Sequence, residues 1–346
     1  MKKRNEFFDI AKGIAIILVV CGHCIQYGSY KYFNEAFFED PIFIAIYSFH
    51  MPFFMLISGF FFYNTSCNYS WKTNLSSRFK KIIIPIFIWN TIYLLIYNCI
   101  KSPMTFNRLI SSYTSNIWFL WAIFFCNIIS LVVQRFFNDK IIIYVIIGGI
   151  LLCLPNKGNL PLYIFMYPFF ILGYWTNMYI KYFPINIATS AQNITILIVF
   201  LFIYFILYKQ YTKEDFIYIS GTAIIKDIGQ LRPRFDSHQL YIDSFRILIG
   251  FVGSLILFML IRIQYQLNWA KKMLSLFGII GKRSLGIYIT STLFVNEFIL
   301  PILPNRDDIG YPHIIIKTII TICICYYITL FLEKGQFTRK NMLGGH

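Results

Sequence analysis

The sequence predicts an all-α, polytopic integral membrane protein, a helical bundle of about ten transmembrane helices. Of its 346 residues, 58% are hydrophobic and only 13% are charged, and the mean hydropathy is +0.62. A soluble domain of this length needs about 25% charged residues to cover its surface. Apolar runs long enough to cross a hydrocarbon core about 30 Å thick recur along the chain, at 8–27, 41–63, 82–100, 117–134, 141–154, 160–180, 193–208, 240–261, 284–303 and 311–332.

The first five runs are separated by polar segments, of which 64–81 is one of three connections in the chain that are long enough to matter. Basic residues precede the run 8–27, and no small-x-small cleavage site follows it, so we expect a retained first helix. The segment 64–81 ends in basic residues, and we expect an inner loop there. The run 141–154 is short and should tilt little or thin the bilayer locally.

The last five runs are separated by two long connections. The basic segment 262–283 is expected to be an inner loop. The segment 209–239 is expected to be an outer loop, rich in Tyr and Arg, which could cover a site or serve as an idle linker. Loops beyond about 15 residues are more often functional or disordered than neutral spacers.

The formal net charge of +16 indicates topology rather than nucleic-acid binding. With the N-terminus in the cytoplasm, most Lys and Arg residues fall in short inner connections, as the positive-inside rule requires. We therefore expect both termini in the cytoplasm, lipid rather than nucleic acid as the partner, and one membrane-embedded domain over 1–346. No metal site is expected.

The first span carries three ionisable side chains, which are costly in a bilayer and therefore need an explanation. Lys12 and His23 are eleven residues apart, so they return to within roughly 20° of one helix face, about 16 Å apart along the axis. Asp9 precedes Lys12 by three residues and can pair with it. One stripe of this helix thus holds an ion pair and, deeper in the membrane, an imidazole.

The second span carries His50, at a depth that we expect to be comparable to that of His23. Pro52 cannot donate a backbone hydrogen bond and should kink the helix beside it. Ser58 and Gly59 allow close approach by a neighbouring helix or a slender ligand. Both histidines could instead be hydrogen-bonded packing residues, but two at similar depth, one beside a Lys–Asp pair, favour a site.

These two segments resemble the acyltransferase-3 family. Residues 8–23 are similar to the family's opening motif, a basic residue followed by ten residues and a His, here Lys12 and His23. Residues 49–60 resemble its second helix, with a His-x-Pro and a Ser-Gly pair. Weaker similarities cover most of the chain, at Arg78 with 84–85, 118–121, 169–174 and 281–288.

The sequence departs from the family pattern at two positions. Lys12 takes a slot more often filled by Arg, which keeps the charge but loses the guanidinium fork. Ser291 takes a position where many members carry a His.

The resemblance implies a membrane O-acetyltransferase of the bacterial inner membrane, with no bound cofactor. The donor would be cytoplasmic acyl-coenzyme A, most simply acetyl-coenzyme A, and the acceptor a hydroxyl of a surface or lipid-linked glycan such as O-antigen. His23 would be the general base or a transient acyl carrier, and Lys12, held by Asp9, would face the donor. His50 and Ser58 would line the site. The donor phosphates would contact Arg78 with Lys80 or Lys81.

Other interpretations remain open from the sequence. A transporter or flippase for a lipid-linked glycan also predicts many spans with a few buried charges, but not the Lys–His stripe. A non-enzymatic scaffold predicts tolerance of changes at Lys12 and His23. Trp118 could contact substrate or belong to an interfacial aromatic belt. Glu297, in the outer part of the ninth run, receives no role.

Overall fold

The computed structural model describes residues 5–28, 36–100, 105–180, 190–227, 233–299 and 311–345. The first helices are α1 (Glu6–Gly28), α2 (Pro41–Asn68), α3 (Trp71–Arg78), α4 (Ile84–Ile100), α5 (Phe106–Ser115), α6 (Trp118–Phe137), α7 (Ile141–Leu152) and α8 (Leu160–Tyr179). They are followed by α9 (Ser190–Gln210), α10 (Ile217–Ser220), α11 (Ser237–Gln266), α12 (Asn268–Gly281), α13 (Ser284–Thr290), α14 (Tyr311–Lys334) and α15 (Gln336–Asn341).

Short irregular elements complete the described chain. Single 3₁₀ turns occur at Ala36–Glu39 and Lys213–Asp215, and π-helical segments at Phe79–Ile83 and Ser291–Ile299. The strands of the described part are a two-residue pair, β1 (Ile225–Lys226) and β2 (Arg234–Phe235), which run antiparallel. The all-α fold class is therefore confirmed.

Seven helical stretches of the described chain are long and apolar enough to cross a membrane. They are α1, α2, the continuous stretch of α3 and α4, α6, α9, α11 and α14. The other three predicted runs are also helical: α7 has 12 residues, α8 has 20, and α13 continues into the second π-helical segment. The protein is thus an integral membrane protein.

The described chain forms two compact units, each built from separated stretches. Unit 1 comprises Met1–Met51, Ile187–Tyr211 and Val252–His346. Unit 2 comprises Pro52–Asn186 and Thr212–Phe251. The boundary between the two units falls within α2, after His50 and before Ser58. His23 and His50 therefore both belong to unit 1.

Unit 1 is organised around a close crossing of α1 and α12. A Cβ atom added to Gly13 would lie 1.9 Å from the carbonyl oxygen of Phe277, and one added to Gly281 would lie 1.8 Å from that of Asp9. Small residues let two helix backbones approach in this way. The inner half of α1, which carries Asp9 and Lys12, is therefore held against α12.

Unit 2 contains a second crossing of this kind, between α2 and α8. A Cβ atom on Gly59 would lie 1.9 Å from the carbonyl oxygen of Phe170, and one on Gly173 would lie 2.0 Å from that of Leu56. The sequence allowed either a helix or a slender ligand at Gly59. The structure places a helix there.

Two loop predictions were wrong. The segment 64–81 is almost wholly helical, because α2 extends to Asn68 and α3 then begins at Trp71 with Ser70 as its N-cap. The segment 262–283 is likewise helical through the end of α11 and α12. Both segments are too polar to look like spans, yet each forms helix; the apolar side of α12 packs on α1.

Candidate functional site

The predicted ion pair of the first helix is confirmed. The Lys12 ammonium lies 3.1 Å from the Asp9 carboxylate. The Asp9 side chain is only 3% exposed, whereas that of Lys12 is 26% exposed. The carboxylate is therefore enclosed in protein while the ammonium keeps access to its surroundings, as a group that meets an anionic ligand requires.

Helix α1 runs without interruption from this pair to His23, so the eleven-residue spacing gives a separation of about 16 Å along the axis. His23 is half-buried, and its ring lies 6.0 Å from that of Tyr27 in an edge-on arrangement. The side chain is thus partly covered by protein.

His50 of α2 lies at the same level of unit 1. Gly22, next to His23, is packed against Tyr47, because a Cβ atom on Gly22 would lie 2.6 Å from the Tyr47 ring. The Tyr47 ring in turn lies 4.8 Å from that of His50. The two imidazoles are close enough to interact electrostatically. The comparable depth expected from the sequence is therefore confirmed.

The orientation of His50 is set by its own helix. The Nδ1 atom is 2.7 Å from the carbonyl oxygen of Ile46, and since a carbonyl can only accept, Nδ1 carries the proton. The lone pair of the neutral ring then lies on Nε2. The helix continues through Pro52. With its ring 3% exposed and its tautomer fixed, His50 is the better oriented of the two imidazoles.

Tyr47 was missed by the sequence reasoning, although it fixes the contact between the two histidine-bearing helices. Its ring stacks on Phe43 at 3.8 Å, and its hydroxyl donates to Gln26 Oε1 at 3.2 Å. No sequence signal singled it out among the 25 Tyr residues of the chain.

A further buried cation lies beside α1, near Cys24. Lys317 of α14 is 2% exposed and interacts electrostatically with Cys24, the residue that follows His23. The sequence placed Lys317 inside a span but gave it no role. Its position in the middle of an apolar helix was the available signal.

The predicted donor-binding residues lie in unit 2. Arg78 ends α3, is half-buried, and places its guanidinium 5.0 Å from the centre of the Phe62 ring. Lys80 is exposed, while Lys81 is half-buried and close enough to Arg78 to interact electrostatically. Ser58 donates its hydroxyl to the carbonyl oxygen of Phe54 at 2.8 Å. Arg78 and Lys81 are thus brought together.

Trp118 is the first residue of α6 and is half-buried. The preceding residue, Ile117, is fully buried and has a φ of 51°, which is strained for a β-branched residue. Such backbone strain is often found at functional positions. Substrate contact and membership of an aromatic belt both stay predictions for Trp118.

Ser291 and Glu297 both belong to the second π-helical segment. Ser291, at the position where many acyltransferase-3 proteins have a His, donates its hydroxyl to the carbonyl oxygen of Tyr288 at 3.1 Å. The Glu297 side chain lies outside the described residues. Within the described ranges, no three His, Cys, Asp or Glu side chains are placed to hold a metal ion.

The described part of the predicted outer loop contains a small antiparallel strand pair. Strand β1 pairs with β2, and the Lys226 ammonium contacts the Asp236 carboxylate. The Asp236 carboxylate also accepts a hydrogen bond from the backbone amide of Gln239. These two contacts lower the pKa of Asp236 below its ordinary value of 3.8. The described part of this loop is therefore a folded element.

This lowered pKa predicts that the strand pair is acid-sensitive. Between the ordinary and the lowered pKa the unfolded loop binds more protons than the folded one, so stability is complete above about pH 4 and falls as the pH drops further. We expect the unfolding temperature of the wild-type protein to decrease over this range by more than that of Asp236→Asn. Parallel decreases in the two proteins would contradict the assignment.

The comparisons with known proteins agree with this geometry. A family model described as an acyltransferase domain, acyltransferase 3, matches residues 5–330. The chain belongs to the acyltransferase-3 family. The resemblance carried by Lys12, His23 and the second helix is therefore confirmed, and the matched residues of this acyltransferase-3 protein form an acyltransferase domain.

Two curated relatives of this acyltransferase-3 protein are described as nodulation protein NolL. The one from Mesorhizobium japonicum is 32% identical over 179 residues, which cover 49% of this chain and 47% of the relative. The one from Sinorhizobium fredii is 32% identical over 181 residues, covering 49% and 48%. The alignment thus spans about half the length of each relative. No solved structure matches the chain.

Proposed function

We propose that this acyltransferase-3 protein moves an acyl group, most simply acetyl, from cytoplasmic acyl-coenzyme A to a hydroxyl of a cell-surface or lipid-linked glycan such as O-antigen. We further propose that it does so in the bacterial inner membrane. One observation carries the proposal: two imidazoles lie at one level of unit 1, and one of them shares its helix with the Lys12–Asp9 ion pair.

The reaction needs a base, because a sugar hydroxyl does not ionise near neutral pH. In our proposal His23 removes the hydroxyl proton as the oxygen attacks the thioester carbonyl. The tetrahedral intermediate then collapses, the carbon–sulfur bond breaks, and the thiolate of coenzyme A leaves and takes up the proton that His23 had removed. His50, with Nδ1 bound to Ile46, presents Nε2 and orients the reacting groups.

In our proposal, basic side chains attract the negatively charged acyl-coenzyme A. Lys12, whose ammonium is held by Asp9, faces the donor from the inner half of α1. Arg78 and Lys81, with the exposed Lys80, contact the phosphates of coenzyme A, for which clustered cations are suited. Ser58 lines the acyl path and Trp118 borders the acceptor.

The function is tested with membrane vesicles from cells with and without the gene. Labelled acetyl-coenzyme A is added to the cytoplasmic face, and label that mild alkali releases from the glycan is counted as O-acetyl ester. We expect such label only with the gene. Equal labelling of both vesicles, or transport of unmodified glycan without consumption of the donor, would contradict acyl transfer and favour the flippase alternative.

The charge at Lys12 gives a graded prediction. We expect Lys12→Met to lower the transfer rate about 100-fold, because the Asp9 carboxylate is left enclosed and the donor loses a cation. Lys12→Arg keeps the charge and the pair, and should retain most of the activity. The rates are measured by the vesicle assay at equal protein level. Lys72→Met, at an exposed lysine, is the matched control and should behave as wild type.

If Lys12→Met transfers as fast as Lys72→Met, the cation has no role in catalysis. If Lys12→Arg is as inactive as Lys12→Met, the site requires an ammonium rather than any positive charge, and a purely electrostatic role for Lys12 toward the donor is wrong.

A further inference from the structure

Unit 2 contains an elongated cavity of about 260 Å³ that none of the predicted site residues lines. It runs between α7 and α8. Its α7 wall extends from Tyr144 to Leu152, which is about 12 Å along a helix axis. Both helices belong to predicted spans, so the long dimension of the cavity follows the direction of lipid chains in a bilayer.

The walls of the cavity are apolar. Gly148 has no side chain and so leaves part of the cavity empty on the α7 side. Ile164 and Ile171 of α8 form the opposite wall. Val145 lines the cavity although its side chain is 57% exposed, so the cavity opens at the outer surface of α7. An alkyl chain in the bilayer could therefore enter from the side.

One end of the cavity is polar and buried. Asp243 and Thr222 line it there and are 3% and 1% exposed. The Oδ1 atom of Asp243 accepts hydrogen bonds from Arg246 and Gln239. In the described part of the chain, Asp243 Oδ2 and Thr222 Oγ1 have no hydrogen-bond partner.

This polar end is built into the fold. The backbone amide of Thr222 donates to Asn156 Oδ1 at 2.9 Å, and that of Ile224 donates to the carbonyl oxygen of Leu152 at 3.0 Å. These bonds hold the predicted outer loop against the end of α7. Buried polar atoms are almost always satisfied, so a carboxylate oxygen at the end of an apolar cavity calls for a ligand that brings a donor.

We propose that this cavity binds one alkyl chain of a membrane lipid whose head group carries a hydroxyl, and that this hydroxyl donates to Asp243 Oδ2. The chain lies between α7 and α8, and Thr222 offers the head group a second hydrogen-bonding position. The proposal concerns binding alone and does not depend on the acyl-transfer chemistry.

The test uses the full-length protein in phosphatidylcholine vesicles with an alkyl glucoside that carries a photoreactive diazirine on its chain. Cross-linked residues are located by mass spectrometry. We expect cross-links on α7 and α8. Gly148→Leu, which fills the cavity, should reduce them at least about tenfold, since a filled site leaves the chain no room.

Gly149→Leu is the matched control. A Cβ atom on Gly149 meets nothing within 4 Å, so the same side chain one residue further along α7 leaves the cavity open. Its cross-linking should stay close to that of wild type. Should Gly148→Leu fail to give folded protein by size-exclusion chromatography, Leu172→Phe fills the cavity from α8 instead.

The head-group contact is tested with the same photoreactive chain on a phosphocholine, which has no donor and places a negative charge near Asp243. We expect cross-linking about tenfold weaker than with the glucoside, the usual effect of leaving a buried acceptor unpaired. The proposal is overturned by an absence of cross-links on α7 and α8, as for a cavity holding only water. Equal cross-linking of the two leucine variants or of the two head groups overturns it as well.

Discussion

Replacing His23 by Ala should reduce acyl transfer at least about 100-fold while the protein still inserts and folds. General-base catalysis by a positioned side chain contributes about 10² to 10⁴ in rate, and the half-buried imidazole is on the same helix as the Lys12–Asp9 pair. The measurement is the initial rate of alkali-labile acetyl incorporation from labelled acetyl-coenzyme A, at saturating donor and equal protein level.

The matched control for this prediction is His238→Ala. His238 is 69% exposed and contacts Glu214 at 3.2 Å, so its loss should leave the rate unchanged. Near-normal transfer by His23→Ala would remove this residue from the chemistry. If His50→Ala alone abolishes transfer, the oriented Nε2 of His50 is the base, and the roles of the two imidazoles must be exchanged.

The same variants separate the two chemical roles left open for His23. A transient acyl carrier predicts label bound to the protein after brief incubation with acetyl-coenzyme A in the absence of acceptor. Such label should be present in the wild type and absent from His23→Ala. A general base predicts none in either protein.

Replacing Gly59 by Val should destabilise the protein by at least about 3 kcal/mol, because the added Cβ atom would lie 1.9 Å from a backbone oxygen of α8. The neighbouring atom belongs to a helix backbone, which cannot rotate away as a side chain can. We expect a large drop in the unfolding temperature of the detergent-solubilised protein and in the fraction that elutes as a single species.

Gly149→Val is the control for this crossing. Both positions are helical, so the lower helix propensity of Val acts equally at each, and only Gly59 faces a neighbouring helix. The difference between the two variants measures the crossing itself. Equal unfolding temperatures would show that α2 and α8 can separate freely, and the packing described for unit 2 would be wrong.

Local sequence patterns predicted what depends on local physics. Each of the ten apolar runs forms a helix over most of its described length, since backbone groups in a bilayer must be hydrogen-bonded within the chain. The Asp9–Lys12 pair followed from a three-residue spacing. The candidate site could thus be located on α1 and α2 from the sequence, and the family resemblance was carried by the same residues.

What could not be predicted depends on contacts between residues far apart in the chain. Nothing in the neighbourhood of Gly13 indicates that Gly281 faces the same crossing, and nothing near Gly22 indicates that Tyr47 fills the space beside it. The polar helices α3 and α12 were missed for a related reason. Their stability comes from packing, whereas the prediction relied on hydropathy.

The π-helical turn at Phe79–Ile83 has a consequence for the basic residues beside it. The amide of Ile84 donates to the carbonyl oxygen of Phe79, five residues back, and Pro85, which has no amide proton, cannot donate the ordinary α-helical bond to the carbonyl oxygen of Lys81. A wide turn of this kind holds one surplus residue. Deleting the exposed Phe79 should therefore restore an ordinary α-helical turn with Arg78 on nearly the same helix face, so the wide turn lets the chain carry one extra residue without reorienting the guanidinium.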